Sequence, residues 1–117
     1  MLKIVLRFLL ILLLLPSIAL AATNGNIRGT VVDAGMDEGL PGVIITITSD
    51  NMMGQRQAQT GPSGQFVFAE VPPGNYQLLA ERKGFTPIKR PNVLVKVGSS
   101  AVVNLTMQLE GASAEII

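Results

Sequence analysis

From Gly25 to Leu109 apolar and polar residues alternate in short runs separated by clusters of Gly, Pro, Asn and Asp. A period of two confines a chain to β structure, because successive side chains leave a strand on opposite faces. The pattern predicts a first strand at Ile27–Val32, with Ile27, Gly29 and Val31 on one face, and a second at Val43–Thr48, with Val43, Ile45 and Ile47 inward. Gln55–Thr60 has too little apolar surface to fill a core and reads as an edge strand, whose unpaired backbone would accept an added strand. Gly61-Pro62-Ser63-Gly64 is a tight turn, since Pro62 presets φ and Gly64 tolerates a positive value. Beyond it lie strands at Gln65–Ala69, Asn75–Glu81, Val93–Val97 and Ala101–Leu109. Phe66 and Phe68, Tyr76, Leu78 and Ala80, and finally Val103, Leu105, Met107 and Leu109 supply their apolar stripes. Arg82–Pro91 reads as an irregular basic loop. Seven strands with turn signals between them predict an all-β, antiparallel Greek-key β-sandwich.

The first 22 residues follow a different rule. A basic start with Lys3 and Arg7 leads into the apolar run Phe8–Leu15, and after Pro16 come small residues. That is the layout of a cleavable signal peptide. The run is shorter than the roughly 20 residues that span a hydrocarbon core. Ala19, Ala21 and Ala22 form the expected cleavage region. The predicted organisation is a signal peptide at 1–22, one sandwich domain at 23–110 and a loose tail at 111–117. A secreted or periplasmic product follows, with a mature domain that does not span the membrane.

Of nine Lys and Arg residues, Lys3 and Arg7 leave with the leader, so seven remain against eight acidic residues. A near-neutral domain implies no general affinity for nucleic acid. The chain has no Cys and no His, so it cannot assemble disulfides, a lipidated Cys, the ordinary zinc ligand sets or a Ser-His or Cys-His nucleophile. The candidate carboxylates are Asp33, Asp37, Glu38, Asp50, Glu70 and Glu81; all but Glu81 lie in loops or at strand ends, and no catalytic pair is expected among them. The acidic loop Asp33–Glu38 matches no standard calcium spacing and reads as a solvated hairpin connection. No cofactor and no metal is expected.

Three segments together resemble the carboxypeptidase regulatory-like domain family of transthyretin-like sandwiches: Ile27–Asp33, Leu40-Pro41-Gly42-Val43, and Thr60–Phe68 continuing through Val71-Pro72-Pro73-Gly74-Asn75-Tyr76 to Gly84-Phe85. The resemblance implies a non-catalytic accessory module. It is similar to the domain that follows the catalytic unit of some metallocarboxypeptidases, and to the extension that precedes the plug of many TonB-dependent receptors. It also implies a grouping with carbohydrate-binding-like folds. The same turns resemble the Cna B-type repeats of adhesins, some of which close a Lys to Asn isopeptide bond beside an acidic residue. Glu81 and Asn104 occupy candidate positions, but the first strand offers Arg28 where a Lys amine is required, so no cross-link is expected.

The candidate binding loop is Arg82, Lys83, Phe85, Lys89 and Arg90, cations around an apolar tip; the plainer reading, which is preferred, is an ordinary exposed loop with Phe85 folded back onto the core. Near an anionic surface each cation would contribute on the order of 1 kcal/mol. The sequence thus predicts a binding or spacer module at the cell envelope with a protein partner. The alternatives are carbohydrate binding, with Phe85 as the stacking face, or an adhesin-like structural repeat.

Overall fold

The computed structural model describes residues 23–50 and 54–111. The expected signal peptide, its cleavage residues Ala19, Ala21 and Ala22, and tail residues 112–117 lie outside the described residues. The expected alternation resolves into eight strands: β1 (Gly25–Asp33), β2 (Glu38–Gly39), β3 (Ile44–Thr48), β4 (Gln55–Gln59), β5 (Gln65–Val71), β6 (Gly74–Glu81), β7 (Ile88–Val95) and β8 (Ser100–Met107). The eighth is β2, a two-residue strand in the loop after β1. A pair that short carries no periodicity to read.

The strands form two four-stranded sheets. In the first, β1 is central: β5 and β2 share one of its sides and β8 takes the other. The second runs β4-β3-β6-β7. Their inner faces interdigitate through Ile27, Val31, Ile45, Ile47, Phe66, Phe68, Tyr76, Leu78, Val95, Val103, Leu105 and Met107, all buried. Phe66 and Phe68 meet edge to face with centroids 6.3 Å apart.

One pairing departs from the antiparallel expectation. β8 runs parallel to β1, from Asn26 beside Ser100 to Asp33 beside Met107. Buried parallel strands announce themselves as continuous apolar runs. Here the outer face is open, so both strands alternate as antiparallel strands do.

Local chemistry fixes the turns. Gly64 sits at φ 79°, and a Cβ there would collide with the Val31 carbonyl and the Leu40 amide, so glycine is required twice over. The buried Thr60 hydroxyl donates to the Leu40 carbonyl (2.7 Å) and accepts from the Val43 amide (2.9 Å), holding the 40–43 corner against β4. The Tyr76 hydroxyl donates to the Pro72 carbonyl at 2.6 Å, closing the corner before β6. In the acidic loop, Asp33 Oδ1 accepts from the Gly35 amide at 2.8 Å, so that carboxylate shapes the turn.

Several strand ends shift from expectation, and two of these shifts move named candidate residues. The basic loop is shorter, because β7 already begins at Ile88 and passes through Pro91 at a bulge, with Asn92 at φ 59°. Proline is tolerated on an edge strand where no ladder bond is lost. Leu109 lies beyond β8 and is 52% exposed, outside the apolar stripe assigned to it. Its backbone instead bridges to Phe85.

Candidate functional site

The predicted basic tip does not assemble into one patch. Phe85 is only 8% exposed and belongs to the core, with the Arg82 guanidinium 5.3 Å from its ring centre. Lys83 is exposed beside them. Lys89 and Arg90 lie in β7, opposite Leu79 and Leu78 respectively. Adjacent residues of a strand project to opposite faces, so these two cations diverge. Phe66, Phe68 and Tyr76 are buried as well, which leaves no exposed aromatic ring among the described residues for a sugar to stack on. Glu81 and Asn104 are both exposed and stand on different sheets. Among the described residues no three His, Cys, Asp or Glu side chains come together to hold a metal ion. One shallow polar groove of about 340 Å³ is lined by Thr48, Asp50, Asn75, Gln77 and Asn92 among others.

What the sandwich does present is backbone, at its sheet edges. Strand edges carry unpaired N–H and C=O groups, and proteins blunt them with charge, bulges, proline or short length. β7 is blunted by Lys89, Pro91 and its bulge. Along β5 the outward carbonyls of Gln65 and Ala69 are already taken, by the Gly61 amide (3.0 Å) and the Arg56 guanidinium (2.9 Å).

β4 is the edge read from the sequence. The Thr60 amide donates to the Val43 carbonyl, so Ala58 and Arg56 also bond inward to β3, while the peptide groups of Gln55, Gln57 and Gln59 face out. Yet β4 has five residues, and Arg56 pairs with the inward Ile47. Its guanidinium crosses the open flank of the sandwich to the Phe68 ring, 5.8 Å from the centroid, and to the Ala69 carbonyl. An inward-turned charge at an edge discourages pairing.

Among the described residues, β8 has none of these devices. Its bonds to β1 are framed by the Asn26 amide on the Ser99 carbonyl and the Ala34 amide on the Met107 carbonyl, both 2.9 Å. Odd-numbered residues of β8 therefore bond to β1, and the peptide groups of Ser100, Val102, Asn104 and Thr106 face away. The segment Ser100–Thr106 contains no charge, no Pro and no Gly. Among the described residues the edge closes only beyond it, where the Gln108 carbonyl accepts from the Thr86 amide (2.8 Å) and the Glu110 amide donates to the Gly84 carbonyl (2.9 Å). Val102 on this strand is 58% exposed. Local sequence marks β4 as an edge but not β8, because an edge is a property of pairing, and the long-range β1–β8 pairing leaves no local signal.

A model of the carboxypeptidase regulatory-like domain matches residues 26–108. The chain is 31% identical over 104 residues to the TonB-dependent transporter Oar of Myxococcus xanthus; the match covers 89% of this chain and 10% of the transporter, so the chain spans about a tenth of that protein. Among solved structures it is similar to the minor pilin of Streptococcus agalactiae, with a TM-score of 0.60, 14% identity and coverage of 77% of this chain and 46% of that one. A putative carbohydrate binding protein from Bacteroides uniformis aligns with a TM-score of 0.58 and 17% identity, covering 70% of this chain and 40% of that one. At these identities the likeness is one of fold.

Proposed function

The chain belongs to the carboxypeptidase regulatory-like domain family, and from that premise we propose that it acts as a non-catalytic binding or spacer module at the cell envelope, taking a strand of a protein partner onto the β8 edge. The observation that carries this reading is the open edge itself: Ser100–Thr106, in which the peptide groups of Ser100, Val102, Asn104 and Thr106 face outward and no charge repels an incoming strand. Strand addition draws affinity from main-chain hydrogen bonds and specificity from alternate side chains. The envelope setting is supported by the similarity to a domain-sized part of a TonB-dependent transporter and by the signal-like leader. A non-catalytic role is supported by the absence of His and Cys from the chain. A glycan reading has less support, because Phe85, its expected stacking face, is packed into the core.

The test is partner capture from an envelope extract by the chain and two proline variants. Asn104→Pro removes an outward N–H from β8 without touching a β1 bond, and Gln57→Pro does the same at β4. Capture should fall for Asn104→Pro and persist for Gln57→Pro. Equal capture by all three folded proteins would refute edge addition at β8.

A further inference from the structure

We propose, resting on that open edge, that the strand it takes is β8 of a second copy of this chain, run antiparallel about a two-fold axis at Val103. The free stretch sets the register. Ser100–Thr106 is bounded at one end by the turn after β7 and at the other by the pairing of Gln108 with Thr86, and its midpoint is Val103. In an antiparallel pair centred there, the outward peptide groups fall opposite one another: Ser100 with the second Thr106, and Val102 with the second Asn104. Four such pairs would supply about eight main-chain hydrogen bonds, close to the roughly ten of a standard interface.

The side chains match on the inner face and carry no repulsion on the outer one. Inside, Ala101 meets the second Leu105 and Val103 meets its own copy, so the two apolar layers become continuous. Outside, Ser100 meets Thr106, a hydroxyl pair of a kind favourable across strands, and Val102 meets Asn104. No like charges face each other, because this stretch has none. The edge also already accepts antiparallel pairing from residues 84–86 just beyond its free part, so a second strand would extend a ladder that has begun. The product is a continuous sheet in the order β5-β1-β8-β8-β1-β5.

Because the chain has no Cys, a single introduced thiol reports only contacts between copies. Val103 would form a non-hydrogen-bonded pair with itself, whose Cβ separation suits a disulfide. Val103→Cys, Val102→Cys, Asn104→Cys and Gln57→Cys variants of the full chain would be oxidised in dilute solution, and the unmodified chain weighed by sedimentation over a concentration series. Self-pairing predicts a mass that doubles with concentration, a disulfide dimer formed preferentially by Val103→Cys, and a dissociation constant raised at least about tenfold by Asn104→Pro. Preferential cross-linking at Val102→Cys or Asn104→Cys overturns the register. Cross-linking of Gln57→Cys equal to that of Val103→Cys overturns β8 as the contact. A chain that stays monomeric, yet loses capture of another protein with Asn104→Pro, overturns self-pairing while leaving the edge-addition function standing.

Discussion

β4 and β8 are both terminal strands of their sheets, and they handle exposure in opposite ways. β4 is short, polar and closed by a cation: Arg56 turns inward, lies over Phe68 and binds the Ala69 carbonyl, so its charge is spent sealing the flank between the sheets. β8 is eight residues long, alternates apolar and small polar side chains, and leaves Ser100–Thr106 unguarded. The contrast shows that exposure alone does not make a docking edge. Both strands are at the rim, but only one has been left able to pair. Arg56 also illustrates how a long cation serves packing, since its stem and planar head cover ring and carbonyl at once.

The comparison breaks most readily at the seam between β1 and β8. Gly29 lies opposite Val103, and a Cβ there would overlap the Val103 carbonyl and crowd the Phe66 ring. Gly29→Ala should therefore push β8 away from β1 and cost about 3 kcal/mol or more, at the upper end of overpacking penalties. Urea melting would read this as a lower midpoint, and an unchanged midpoint would mean that β8 does not depend on that close approach. On the β4 side the effect is smaller. Arg56→Ala removes one cation–π contact and a charge-assisted bond at a solvent-exposed residue, about 1 kcal/mol together. It should also leave the β4 edge more prone to pairing, seen as new association that Gln57→Pro abolishes.

The smallest effect concerns pH. Burial raises the Tyr76 phenol above its ordinary value of 10.0, while the nearby Arg56 charge draws it back down. A group whose folded-state value is raised contributes stability that is fully present below the unfolded value and is lost as pH rises through the folded one. The Tyr76 contribution should thus be constant below pH 10 and decline above it. In Arg56→Ala the phenol should ionise at still higher pH, which absorbance of the single tyrosine would follow. A lower value in that variant would contradict the placement of Arg56.

Most of the sandwich is legible in the sequence because its causes are local. Alternation places Ile27, Ile45, Phe66, Tyr76 and Leu105 inward, and Gly64 marks a turn that no other residue fits. What is not legible depends on partners distant in the chain. β1 and β8 pair from opposite ends of the described chain, so nothing near either strand announces a parallel neighbour or an open edge. Arg56 looks like a solvated charge in Gln55-Arg56-Gln57, and the only hint of its inward direction is that it is in phase with the half-buried Ala58. The basic tip looked contiguous because Lys89 and Arg90 are adjacent in sequence, whereas β7 begins one residue earlier and sends them to opposite faces.

Residue-resolved amide hydrogen exchange of the dilute chain tests the open β8 edge most directly. Ala101, Val103 and Leu105, whose amides bond to β1, should be protected, while Val102, Asn104 and Thr106 exchange quickly and slow as concentration rises. Uniform protection across Ser100–Thr106 in the dilute monomer would show that the edge is already covered and would contradict the account.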